Sequence, residues 1–260
     1  MYNQPNYKPF SLVSRRRIIQ AATGSLAALV LSPSLALAES LRVEDHRPKL
    51  TVTHNNKDLT FVHPAYGPGT YADVKSAIEQ DKLKGPTMAE TASLIYASFD
   101  SSNRYSTEIK DIMGNAWLWA FTGTLYIPKK GAYIQDNPEI RNGMPFMEES
   151  GLIKKLEARD SSIRFVRFGY QVGEMNPLKL AKNPYVIGLV GEEGAEKLAK
   201  VSDKYEDKPD LWGFESVSKP LTRVSALGFR SLGSGLIVGG DNRGNVGNGR
   251  AFGIFEKTQK

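Results

Sequence analysis

Short apolar runs separated by turn residues dominate the end of the chain. Val224 to Phe229, Gly235 to Val238 and Ala251 to Phe255 are each too short for a helix, and nine of the 24 glycines fall between Gly228 and Gly253. That density of turn residues predicts a strand meander over 222–256. Earlier the period changes. Leu59 to His63 reads as a strand ended by Pro64 and the turn-rich Tyr66-Gly67-Pro68-Gly69. Thr70, with Asp73 three positions on, opens a helix that carries Val74, Ala77 and Ile78 on one face and stops near Lys84-Gly85. Thr87-Met88-Ala89-Glu90 is a capping box, in which hydroxyl and carboxylate each satisfy the other residue's orphan N–H. Met88, Ala92, Ile95 and Phe99 follow at helical spacing, and Asp100 to Asn103 close that helix.

Beyond it, Ile109 to Met113 leads into an aromatic block, Trp117 to Gly123, and a strand over Thr124–Ile127. The middle of the chain predicts a hairpin at Lys129-Lys130-Gly131, a helix over Pro145–Glu157 and a strand over Ile163–Phe168. Asn176-Pro177 supplies a cap and a first-turn proline for a short helix. Tyr185 to Val190 is apolar and β-branched, and Glu192 to Tyr205 is helical, with Ala195, Leu198 and Val201 on one face. Residues 39–58 are polar and read as an extended lead-in. No internal repeat or composition break divides 59–260, which is expected to form a single domain.

Charge enters through the N-terminus. Ser14-Arg15-Arg16-Arg17, a weakly apolar run from Ala21 to Leu31 and Ala36-Leu37-Ala38 have the order of an export signal over 1–38, of the twin-arginine type. A retained N-terminal anchor is the alternative, although the apolar run is shorter than the roughly 20 residues a permanent span needs. The expected location is periplasmic or extracellular, with no membrane contact beyond the signal. The formal net charge of +6 is largely a property of that segment: four of the 34 basic residues lie in it, leaving an excess of two over the 28 acidic ones. The argument for a nucleic-acid partner loses its support accordingly. The absence of cysteine excludes thiolate metal sites and disulfides. With His46, His54 and His63 the only histidines, neither a metal nor a cofactor is expected.

Taken together, a strand, two helices with Thr70-Tyr71-Ala72-Asp73-Val74 and Pro86-Thr87-Met88-Ala89-Glu90, a Trp117-Leu118-Trp119 segment and a closing Gly249-Arg250-Ala251-Phe252-Gly253-Ile254 strand resemble the C-type lectin fold. The likeness is to sulfatase-modifying-factor-like domains and the variable proteins of diversity-generating retroelements, and it covers 59–123 and 222–256. It implies an α+β domain of antiparallel strands with two early helices and a large insertion over 124–221. It also implies a scaffold that displays a binding surface, with the last strand beside the first. The Glu-Pro-Asn or Gln-Pro-Asp motif of sugar-binding lectins has no match, and the catalytic cysteine of formylglycine-generating relatives is absent.

The stretch from Asp241 to Arg250 holds the candidate ligand-binding residues: Asp241, Asn242, Arg243, Asn245, Asn248 and Arg250. Asn and Asp exchange hydrogen bonds at short reach, Arg offers a planar fork of donors, and Gly lets a partner approach the backbone. The structural alternative is a hairpin turn at Asn248-Gly249. His63 reads as a strand-end residue or a general base, and Trp117 with Trp119 as a core wall or a stacking platform. The leading expectation is an exported, non-enzymatic binding protein for a protein or glycan ligand. The alternatives are a cofactor-free envelope hydrolase using His63 or a carboxylate, and a structural envelope protein.

Overall fold

The computed structural model describes residues 42–44, 48–230 and 234–256, so the export segment expected over 1–38 lies outside the described residues. The expected lead-in is paired rather than solitary. β1 (Arg42–Glu44) and β2 (Lys49–His54) run antiparallel, and Asn55 and Asn56, with φ of 49° and 59°, turn β2 into β3 (Lys57–Gly69). Asparagine tolerates that left-handed geometry better than other side chains. β3 does not stop at Pro64 but continues through Pro68.

Two helices follow, each opened by its capping box. In α1 (Tyr71–Gln80) the Thr70 hydroxyl accepts from the Asp73 N–H at 3.3 Å and Asp73 accepts from the Thr70 N–H at 3.4 Å. In α2 (Met88–Phe99) the corresponding bonds join Thr87 and Glu90 at 3.2 and 2.7 Å. A third helix, α3 (Arg104–Asn115), was not expected. Asn103, which reads as the end of α2, accepts from the Ser106 N–H at 3.0 Å and starts α3, burying Tyr105, Ile109 and Met113.

Then comes β4 (Leu118–Ile127), buried along its whole length, and a tight turn into β5 (Gly131–Asp136). The small pair β6 (Ile140–Arg141) and β7 (Met144–Pro145) precedes α4 (Glu149–Glu157), β8 (Ile163–Arg167), β9 (Gly173–Glu174) and α5 (Pro177–Ala181), the last capped by Asn176 as expected. Tyr185 to Val190 is helical: it forms the first half of α6 (Pro184–Ser202), entered through an Asn183 cap and kinked at Gly191, where φ is 74°. Burial overrides strand propensity here. Gly188 lets the helix settle on the sheet, since a Cβ there would stand 2.6 Å from Val166 and 2.8 Å from Ile134. β10 (Asp210–Trp212), β11 (Leu221–Phe229), β12 (Leu236–Asn242) and β13 (Gly249–Ile254) complete the chain.

The result is α+β, with six helices among the described residues and an 11-stranded sheet. The sheet runs β1-β2-β3-β13-β4-β11-β12-β10-β9, with β5 and then β8 branching from β4. It is mixed rather than antiparallel throughout, because β10 pairs with β12, and β13 with β4, in parallel. The first long strand and the last are neighbours, Phe61 opposite Ile254 and Val62 opposite Gly253. The closing segment is not a simple meander: β11 and β12 pair, but β13 crosses to the far side of β4. Residues 128–220 add strands and helices to the same sheet. No helix among the described residues is long and apolar enough to cross a membrane.

Alternation along β4 and β13 divides the core. Leu118, Ala120 and Phe252 pack with α2, α3 and α6, whereas Trp119, Phe121 and Ala251 pack with Tyr71, Val74 and Ile78 of α1. Tyr71 is fully buried, packs against Trp119 and Phe121, and its hydroxyl has no hydrogen-bond partner among the described residues. Tyr71→Phe removes a polar atom that is buried at a cost, so in urea denaturation it should hold or raise stability, by up to about 2 kcal/mol. Tyr71→Ala should lose about 3–5 kcal/mol. A loss above about 1 kcal/mol in the Phe variant would show that the hydroxyl is bonded in solution.

Candidate functional site

The segment from Asn242 to Gly249 spans from β12 over to β13 and is held at both ends. The Asn242 side chain accepts from the Gly244 N–H at 2.9 Å, and the Gly244 carbonyl accepts from the Tyr71 N–H at 2.9 Å. Gly244 has a φ of 70° and rests on Tyr71 and Val224, a conformation and an approach that favour glycine. At the other end the Arg250 N–H donates to the Trp117 carbonyl at 2.8 Å. β12 and β13 do not pair, so Asn248-Gly249 is not the turn of a hairpin.

Of the six sequence candidates, the structure brings Asn248 and Arg250 together in a groove of about 420 Å³. Its opposite wall is one face of α3: Glu108, Asp111, Ile112 and Asn115, at i, i+3, i+4 and i+7, with Pro68 and Ala116 closing the ends. Arg250 also donates from Nη1 to the Gly67 carbonyl at 3.2 Å. Asp111 forms no ion pair among the described residues. Asn242 is spent on the loop's own backbone, and Asn245 is exposed on the crest outside the groove lining. Asp241 and Arg243 lie toward Arg223 of β11, where burial pushes the Asp241 carboxyl up and the Arg223 charge partly opposes this.

His63 is not the isolated strand-end residue its sequence setting suggests. Its Nε2 lies 2.8 Å from Glu108 Oε2, and its ring stands between Tyr105 and Phe252. The α3 residues Glu108, Asp111 and Asn115 are the part of the site that sequence reasoning missed. Their signal is a polar stripe at helical spacing, visible only once Asn103 is read as a helix start. Trp117, just before β4, packs against the cluster that holds Trp119 and α1, and Trp119 is fully buried, so it forms core wall rather than a stacking platform.

A second cleft, of about 510 Å³, opens between His54, Asn55, the start of α2 and the Gly191 kink. Behind it Lys197, with no exposed surface, donates to Ser93 Oγ at 3.1 Å, to the Thr53 carbonyl at 3.1 Å and to Glu193 at 2.7 Å. His54 Nδ1 meets the same Ser93 hydroxyl at 3.0 Å, and Asn55 Nδ2 donates to His54 Nε2 at 3.0 Å. That arrangement uses both ring nitrogens of a neutral imidazole. Arg164, paired with Asp136, also lines this cleft. Among the described residues no group of three His, Asp or Glu side chains is placed to hold a metal ion. Comparison with protein-family models, with curated proteins and with solved structures gave no match.

Burial, above all, pushes the His54 pKa below the ordinary imidazole value; Lys197 adds to the shift, and Glu90 and Glu193 oppose it. The unfolded chain therefore takes up this proton at a higher pH than the folded one does. His54 contributes stability above about pH 6.5 that is lost as pH falls. Urea denaturation between pH 7.5 and 5 should show the native chain losing stability faster than His54→Gln. Parallel profiles for the two chains would contradict the assignment.

Proposed function

We propose that this chain is an exported, non-enzymatic binding protein that holds a protein or glycan ligand in the groove between α3 and the start of β13. The observation that carries the reading is the convergence of Asn248 and Arg250 with Asp111 and Asn115 on one concave surface. The cation of Arg250 and the acid of Asp111 face the same space without being joined to each other, so each is open to a ligand. A volume of about 420 Å³ suits a small polar group, such as one or two sugar rings or a short peptide segment. A C-type-lectin-like scaffold is supported by the pairing of β3 with β13 and by two capped helices leading from β3 toward β4. On that view residues 124–221 are an elaboration of the scaffold.

The hydrolase reading has one observation in its favour, the His63–Glu108 pair at the groove wall. With Nε2–H given to the carboxylate, Nδ1 would be the remaining base, and because no Ser, Thr or Lys among the described residues lines the groove, water would have to be the nucleophile. Ester hydrolysis that disappears in His63→Gln while ligand capture persists would establish it.

On arrays of glycans and of peptides, the full chain should mark a discrete set of ligands. Arg250→Ala combined with Asp111→Ala should weaken capture at least about tenfold, since a hydrogen bond to a charged group contributes about 1.5–3 kcal/mol. Undiminished capture by a folded double variant would contradict the reading.

A further inference from the structure

We propose that Trp117 and Trp212 form a stacking platform for a sugar ring of a neutral glycan, with the carboxylates of Asp210 and Glu174 at its rim. The platform shares no residue with the groove and does not depend on the groove's being occupied.

The register of the sheet gathers these residues on one face. Trp212 of β10 stands opposite Gly239 of β12, and Asp210 stands opposite Ile237 on one side and Glu174 of β9 on the other. Gly239 and Ile237 in turn face Ala226 and Gly228 of β11. Register partners project to the same side, whereas Leu211, Leu227, Leu236 and Val238 alternate to the opposite side and join the core that holds α6. Two glycines leave the floor of this face bare. A Cβ on Gly228 would stand 3.2 Å from the Trp117 ring and one on Gly239 3.9 Å, so the indole reaches across β11 to β12. Its centroid comes within 5.4 Å of the Trp212 ring, at an interplanar angle of 61°.

Trp212 is 38 % exposed, yet it is not a loose surface side chain. Its Nε1 donates to Asp210 Oδ2 at 2.9 Å, and Arg230 Nη2 bridges the same oxygen at 3.0 Å and Glu174 Oε1 at 2.7 Å. The exposed indole is therefore held in place by a hydrogen bond and a second ring, which lowers the entropy it loses on binding. Glu174, with more than half its side chain in solvent, offers its carboxylate to hydroxyl donors beside the rings.

Size and charge decide the occupant. Two indoles present at most about 300–500 Å² even if wholly bare, short of the roughly 800 Å² per partner that a stable protein complex buries. The other exposed large apolar side chains, Leu156, Leu178, Val246 and Phe255, belong to α4, α5, the β12–β13 loop and the end of the described chain. A pyranose fits the small platform, because its C–H face packs on an indole while its hydroxyls donate to carboxylates alongside. The rim carries two carboxylates to one guanidinium, which disfavours an anionic sugar.

The test follows the three indole N–H resonances of the isotope-labelled full chain by NMR during addition of cellohexaose, chitohexaose, maltohexaose or the anionic hexagalacturonate. The Trp212 signal, assigned by its loss in Trp212→Phe, should move saturably with at least one of the neutral oligosaccharides, Trp117 should move with it, and the buried Trp119 should stay in place. Trp212→Ala should weaken binding at least about tenfold, as truncation of a central aromatic contact does, while Trp212→Phe should retain part of it. Asp111→Ala with Arg250→Ala should leave it unchanged, which separates failure of this site from failure of the groove. No saturable shift at Trp212 with any neutral oligosaccharide would overturn the proposal, as would tighter binding of hexagalacturonate or loss of binding in the groove variant. A Trp212 signal that moves with protein concentration alone would also overturn it, since a second copy of the chain would then cover the platform.

Discussion

The indole of Trp119 occupies the space in which a side chain at position 249 would stand. A Cβ on Gly249 would lie 1.8 Å from the indole nitrogen, closer than any real contact. The same nitrogen donates to the Gly69 carbonyl at 3.2 Å, and Gly69 is the register partner of Gly249. One buried side chain on β4 therefore ties together the end of the first long strand and the start of the last. It also sets the phase of β13. Because side chains alternate along a strand, Arg250, Phe252 and Ile254 are committed to the face covered by α2 and α3, and Ala251 and Gly253 to the face covered by α1.

The proposed groove follows from that phase. With Arg250 turned toward α3, the polar stripe of that helix gains a cation and an amide opposite it. A slip of one residue would place Arg250 among Tyr71, Trp119 and Phe121 instead, where a charge could not be held. The loop between β12 and β13 has to span the distance across β11 and β4, and its midpoint is fixed on the Tyr71 N–H. Its two ends then serve different surroundings. Asn248 and Arg250 line the groove with the acids of α3, whereas Asn242, at the other end, is bonded to the loop's own backbone.

How much of this was legible in the sequence follows from the range of the interactions involved. The capping boxes at Thr70 and Thr87 and the asparagine caps at 176 and 183 join residues no more than three apart, and the first three were read correctly from local pattern. The adjacency of Phe61 and Phe252 segments was reached through resemblance rather than pattern. Two helical stretches escaped the local pattern for reasons that can be named. Asn103 suits the end of one helix as well as the start of the next, so α3 and its stripe stayed hidden. Tyr185 to Val190, apolar and β-branched, carries no clear element in its pattern, and packed against β5 and β8 it is helical. Strand order is the remaining gap. Nothing in the spacing of β11, β12 and β13 says that the last leaves the pair, because what draws it away is a Trp more than a hundred residues earlier in the chain.

The seat of β13 is open to a direct measurement, a double-mutant cycle on Trp119→Leu and Gly249→Ala followed by chemical denaturation. Gly249 lies outside the left-handed region, so alanine there meets a steric obstacle and no backbone one. If the indole is that obstacle, Gly249→Ala should cost at least about 1 kcal/mol less in the Trp119→Leu background than in the native one, within the range found for residues in contact. Losses that add to within about 0.5 kcal/mol would show that the two positions do not constrain each other, and the account of how the closing strand is placed would fail with them.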